Sequence, residues 1–519
     1  MTAETLGALD TRIAALARRD LPLAVSILRE AIRIPADFVD RPGDQGGDPR
    51  CGLSNHERPR IEYLRRALVE IGAVRRAADA RFDAFGNLEW EIEDLNDPTP
   101  RPSRRVVYLD GHCDTVNALR AQWREKTGGS DPYLGLTDAA RLDRAFLRRE
   151  LGWLPPDEEW GHLIFGRGAA DQLGGVVSQM VASRLLVELA DEGALRGVIL
   201  RGYITVAEED NDGGGPLHIT RRVWPGAPPE MLPDVVILTD SSGDSAKGAL
   251  GIYRGQRGRM QIEVRVTGRS CHGSMPWEGL NPLEHGGAIV AEAARHYEAG
   301  EGFADHAFLG RGTRTASFAT LETPSDCAVP ERFTVRFDRR LTVGETPEQA
   351  VADLEALETV RLARAAGLRV EIGVPVYQQP TWRGYVPGNP QIYMGWVTPE
   401  DHPAVRAAVS AYRAVVTPHV IEARETGGTL RREPRVDRWV FSTDGVGYPV
   451  PTADRSIAEP DTKRWVASGA FRHPAMFGFG TGIEQNTHKI GECLDTRELQ
   501  HAIAFLTRFP SAFAAGERP

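Results

Sequence analysis

Seven acidic and imidazole side chains stand at the ends of short apolar runs, in the chain order His112, Asp114, Asp171, Glu208, Glu209, Asp240 and His488. Their contexts are VVYLDGHCDTV, FGRGAADQLGG, GYITVAEEDND, DVVILTDSSG and GFGTGIEQNTHK. Runs such as VVYL and VVIL read as buried strands, and helical stretches such as DQLGGVVSQMVASRLLVELADEG lie between them. That alternation predicts an α/β sheet with its functional residues at strand ends. Such ends bring oxygen and imidazole donors from several elements to one point, which is what a divalent metal pair requires.

At 519 residues the chain is too long for one ordinary core, so two domains are expected. The pattern changes after about Tyr253. A strand GRMQIEVRVTG, a helix NPLEHGGAIVAEAARHYEAG, strands RTASFATLET and RFTVRFDRRL, a long helix from Thr346 to Ala366 and a strand RVEIGVPV follow. This β-α-β-β-α-β order is the ferredoxin-like arrangement. QQPTWRGYVPGNP reads as a Pro/Gly-rich return linker. The expected division is residues 1–253 with 396–519 as one domain and 254–395 as an insert.

The net charge of -10 argues against a general nucleic-acid or anionic-membrane surface, which would need a basic stripe. Neither an export-signal core nor an apolar run of membrane-spanning length is visible. Five cysteines (Cys51, Cys113, Cys271, Cys327 and Cys493) are few, odd in number and scattered, which suits reduced thiols in a cytoplasm.

The order and surroundings of these motifs resemble the co-catalytic zinc peptidase and deacylase family that includes acetylornithine deacetylase, succinyl-diaminopimelate desuccinylase, aminoacylase and the glutamate-releasing carboxypeptidases. The segments SCHGSMPWEGLNPLEHG and DRRLTVGET are similar to a branch linked to selenium metabolism, which carries no secure substrate. The resemblance implies a mixed sheet flanked by helices, with the insert as a lid and dimerisation domain. It implies two divalent ions per chain, zinc with cobalt or manganese as substitutes. His112 and Asp240 would hold the first, Glu209 and His488 the second, with Asp171 bridging them.

Within that pattern Asp114 fixes the His112 tautomer and Glu208 reaches the bridging water. His272, in the insert, polarises the substrate carbonyl from a neighbouring subunit, and Arg340 meets a substrate carboxylate, with Arg339 as a competing assignment. Taken alone, Asp171 reads equally as a helix N-cap and EEDND as a solvated acidic turn. The chain departs from the family at Leu173, where a Lys is common and where the change points to the local surface. It departs again at Cys327, which fills the place of an Asn. Residues 117–165 and 378–401 are longer than the family leads one to expect, and read as lids, specificity elements or surface decoration.

The implied activity is dinuclear metal-dependent hydrolysis of an amide bond in a small amino-acid-like or short peptide substrate, by a homodimer. Two alternatives stay open. One is a non-hydrolytic reaction on the same metals, such as cyclisation, condensation or isomerisation; the other is an inactive metal-binding or ligand-binding homologue.

Overall fold

The computed structural model describes residues 3–36, 57–135, 137, 142–223, 231–418, 430–451 and 471–516. Cys51 lies outside them, and the four described cysteines are all free thiols. No helix among the described residues is long and apolar enough to cross a membrane.

The larger sheet has eight strands, in the spatial order Arg81–Phe82, Leu88–Glu93, Val198–Thr205, Arg105–His112, Val235–Leu238, Ala475–Gly478, Ile252–Tyr253 and Val436–Asp437. Arg105–His112 runs parallel to both its neighbours, as does Ala475–Gly478 to Val235–Leu238. All eight residues of Arg105–His112 are buried, because both faces are covered. Val107 and Leu109 join the core under helices Ala3–Ile32, Gly174–Glu188 and Thr496–Ala515. Val106 and Tyr108 enter the opposite layer with Tyr203, Trp439 and Tyr448. The alternation follows from the two-residue period of a strand.

The smaller sheet is antiparallel, ordered Thr313–Glu322, Arg332–Leu341, Gly258–Thr267 and Arg369–Gly373, with Ile392–Tyr393 paired to Gly258–Thr267 as well. In chain order this follows the expected β-α-β-β-α-β with the second helical element divided in two, helices over one face and a core of its own. Thr313–Glu322 lies at the sheet edge, with most of its residues exposed.

The single helix expected from Thr346 to Ala366 is two, Pro347–Glu355 and Glu358–Ala365. Leu357 is extended at the break, which turns Leu354, Leu357 and Val360 together into the core. Glu292 of the neighbouring helix accepts hydrogen bonds from the Glu358 and Thr359 amides, so the second helix starts with its donors satisfied.

Residues 376–397 are no loose linker. Trp382 meets Phe82 edge-on at 5.2 Å and donates to the Gly86 carbonyl at 3.1 Å, while Tyr385 packs on Phe85 and His218. The 117–165 region also has structure of its own: helices Arg120–Lys126 and Arg144–Glu150, with Phe146, Leu147, Trp160 and Phe165 in a satellite core that includes Cys493.

Candidate metal centre

Two groups of ligand atoms form at the ends of the parallel strands, each within 4.8 Å across: His112 with Asp171 and Asp240, and Asp171 with Glu209 and His488. Asp171 belongs to both. Its Oδ1 is 3.2 Å from His112 Nε2 and its Oδ2 is 3.0 Å from His488 Nε2, which itself lies 3.1 Å from Glu209 Oε2. Glu208 borders the same cleft, with Oε2 3.7 Å from His112 Nε2.

The backbone around this point is unusual. Asp171 does not cap the following helix; it sits in a non-helical turn, and the regular helix begins at Gly174. The Asp171 and Ala170 amides both donate to Glu492 Oε1, at 3.1 and 3.0 Å. Glu492 is buried and paired with buried Arg167 at 2.6 Å, and Arg167 also donates to the His488 carbonyl at 3.2 Å. One buried ion pair therefore holds the shared carboxylate and the distant histidine. Leu173, read as a surface departure, is fully buried in the main core.

Glu208 and Glu209 do not continue the strand, which stops at Thr205; they open a short helical turn, Glu208–Asn211, after Ala207 at φ 62°. Left-handed backbone at a non-glycine residue persists only where its surroundings impose it. Here four successive amides are taken by side-chain oxygens: Val206 by Asn87 at 3.3 Å, Ala207 by Glu57 at 2.7 Å, and Glu208 and Glu209 by the two Asp114 oxygens at 3.2 and 3.0 Å. Asp114 Oδ1 also lies 3.5 Å from His112 Nδ1. His112 Nε2 thus faces the ligand cluster while its other nitrogen is oriented from behind.

The charge balance fits a pair of cations. Burial, with the nearby Asp171 charge, pushes Asp240 up to about 8. Burial likewise raises Glu208 well above the usual carboxylate range, against the attraction of His112. The Glu209 charge, with Asp171, raises His488 to about 12 against the cost of desolvating its ring among these carboxylates. Burial works against charge on His112 too, but Glu208, Asp114 and Asp171 outweigh it and raise that group well above its ordinary value. Carboxylates and imidazoles crowded this closely at one point have the donor set and surplus negative charge that divalent ions satisfy.

The cleft measures about 270 Å³, and its far wall is built from Arg259 and Arg340 of the smaller sheet with Asp212, Phe441 and Ser442. Arg340 donates to Asp338 Oδ1 and Ser442 Oγ, both at 2.7 Å; Ser442 reaches Asp212 at 3.3 Å; Arg259 contacts Asp212 at 3.2 Å and lies 3.6 Å from Asp338. Arg339 turns away to Glu345 at 2.6 Å. His272 is exposed on the Cys271–His272 strand, outside the cleft lining of its own chain, and its Nδ1 accepts from the Ser274 amide at 3.1 Å. Cys327 is exposed opposite it, its carbonyl accepting from the Gly273 amide at 2.8 Å. Sequence reading missed Glu492, Arg167, Glu57, Arg259 and Ser442. They carry no strand-end signature, and their partners lie far off in the chain.

Fold and site together define a metal-dependent hydrolase of peptide or amide bonds. Residues 254–363 match the model of the M20 peptidase dimerisation domain. The chain is 32% identical over 371 residues to the "Uncharacterized protein YgeY" of Escherichia coli (strain K12), covering 70% of this chain and 76% of that protein. It is 28% identical over 174 residues to a "Probable succinyl-diaminopimelate desuccinylase" of Staphylococcus aureus (strain MRSA252), covering 33% of this chain and 38% of that one. The solved structure of the di-peptidase Dug1p from Saccharomyces cerevisiae overlaps with a TM-score of 0.62 at 12% identity, covering 97% of this chain and 98% of that chain. The M20 metallo-carboxypeptidase Sso-CP2 from Sulfolobus solfataricus gives 0.58 at 14%, covering 95% and 99%. These two structural likenesses carry the fold. The chain belongs to the M20 family of metallopeptidases and deacylases.

Proposed function

We propose that the protein hydrolyses the amide bond of an N-acyl amino acid or short peptide, using two zinc ions. His112, Asp171 and Asp240 would hold one ion, and Asp171, Glu209 and His488 the other. The observation that carries this reading is the carboxylate common to both ligand groups, with Glu208 over the same cleft. When bound, the ion pair would acidify a water and polarise the scissile carbonyl. Glu208 takes the proton of the attacking water and passes it to the departing nitrogen; burial raises its proton affinity, which suits both halves of that task. Asp114 keeps His112 and the Glu208–Glu209 turn in register. The His488 side chain is 53% exposed, so solvent reaches the cluster, which favours hydrolysis over a reaction in a closed pocket.

Arg340 faces the cleft and is assigned to the substrate's polar end. We assign 1–253 with 396–519 to catalysis and 254–395 to the lid, with a homodimer formed through the lid edge. Its exposed strand carries Phe318 and Leu321, and an unpaired edge of this kind is a template for another chain. His272 follows the lid's first strand, is exposed, and would serve the partner's cleft. A reduced, cytoplasmic setting suits the free thiols. The test is to load the protein with zinc or cobalt and incubate it with panels of N-acyl amino acids and dipeptides, identifying products by mass. Release of the free amine supports hydrolysis. Products lacking the added mass of water would overturn it.

A further inference from the structure

The turn that presents Glu208 and Glu209 runs on through Asp210, Asn211 and Asp212, and the lid side of the molecule grips each of these. Tyr377 donates to Asp210 Oδ2 at 2.6 Å, and Arg259 to Asp212 Oδ2 at 3.2 Å. Asn211, between them, is fully buried. Its Oδ1 accepts from Gln391 Nε2 at 2.7 Å, Asn389 Nδ2 at 3.0 Å and the Tyr393 hydroxyl at 3.0 Å. Its Nδ2 donates back to Asn389 Oδ1 at 3.2 Å. The Asn211 backbone amide meanwhile closes the turn onto the Ala207 carbonyl at 2.9 Å. Gly214 leaves the room required: a Cβ there would fall 2.1 Å from Asn211 Nδ2.

We propose that Asn211 is a positioning residue, which ties the Glu208–Glu209 turn to residues 389–393 and so lets the returning chain segment set the placement of the base and of one ion's ligand. All four of its side-chain bonds lead into that one segment, 178 to 182 residues away in sequence. A buried polar cluster whose members hydrogen-bond one another has few low-energy arrangements, so it transmits position rather than merely filling space. Glu208 and Glu209 are three and two residues upstream on the same short turn, so a shift of the amide displaces both carboxylates. The segment that reads in sequence as a linker thereby becomes part of the supporting structure of the site.

This inference rests on the metallohydrolase reading, and its test separates the two. Wild type, Asn211→Ala and Tyr393→Phe are loaded with two equivalents of cobalt(II), and absorption spectrum, cobalt affinity, kcat, KM and metal-free Tm are compared. Failure of the wild type to bind two cobalt ions would sink the metal reading itself. If the clamp is real, Asn211→Ala alters the cobalt spectrum and costs about 10- to 100-fold in affinity for one ion and in kcat, with KM little changed. Tyr393→Phe, which removes the hydroxyl's bonds to Asn211 and Asn389 but keeps the Asn211 bonds to Gln391 and Asn389, moves kcat and the spectrum the same way by a smaller factor at nearly unchanged Tm. A variant that loses Tm yet keeps its spectrum and its kcat below the transition would reduce Asn211 to a packing role. Should Asn211→Ala fail to fold, Tyr393→Phe decides alone, and wild-type values for it overturn the proposal.

Discussion

A single carboxylate shared by two ligand groups makes a sharp prediction. Asp171→Ala should lower the occupancy of both ions, and elemental analysis showing two ions retained would remove Asp171 from the bridge. Within the adjacent pair, Glu208→Gln should leave metal content nearly intact while lowering kcat by about 10²–10⁴-fold, the range of a lost general base. Glu209→Gln should instead impair metal retention, and the reverse behaviour would exchange the two assignments. A fourth residue reports through stability. Burial raises Glu484 to about 7 from an ordinary 4.5, against its bond from Tyr253 and the charge of Arg435. The folded state therefore binds this proton more tightly than the unfolded one. Its contribution is complete below the ordinary value and is lost as pH rises through about 7. Glu484→Gln should flatten that decline in urea midpoints measured across the interval. An unchanged slope would assign the pH dependence elsewhere.

The elements around the site divide by how their positions are set. Strands Arg105–His112 and Val235–Leu238 were legible because a buried parallel strand carries a continuous apolar run, VVYL and VVIL here, and the polar residue beyond the run stands out. The turn after Thr205 was not legible in shape, since its left-handed Ala207 is imposed by Glu57, Asn87 and Asp114 from three other parts of the chain. The break at Leu357 was hidden for the same reason: its cap, Glu292, lies on another helix. Nor does composition distinguish an inert insertion from a buttress. In the 117–165 region, Gly152 and Trp153 donate to Asn486 Oδ1 at 2.7 and 3.1 Å, and Asn486 returns a bond to the Trp153 carbonyl at 2.9 Å. Asn486 stands two residues before His488, which itself has φ 60°. Asn486→Ala should cost about 1–3 kcal/mol by leaving buried groups unpaired. It should weaken the ion held by His488 more than the other. Equal loss of both ions in a chelator titration would argue that the insertion supports the fold alone.

At the scale of the whole molecule, the lid is tied to the catalytic layers by the polar ring through Arg340, Ser442, Asp212, Arg259 and Asp338, yet its outer strand is paired on one side only among the described residues. If His272 serves a partner, His272→Ala should abolish turnover without changing metal stoichiometry. Mixed in equal amounts with Glu208→Gln under demonstrated subunit exchange, it should recover about a quarter of wild-type activity per site, because half the dimers are hybrids with one competent site each. No recovery would confine His272 to its own chain or to no role in catalysis. The open strand Thr313–Glu322 has a further consequence, for concentration. If a second copy completes the site, activity obeys mass action: specific activity should fall on dilution below the dissociation constant and return when inactive Glu208→Gln protein is added as a carrier. The same exposed backbone would leave newly made, still solitary chains open to mispairing until a sister copy covers it.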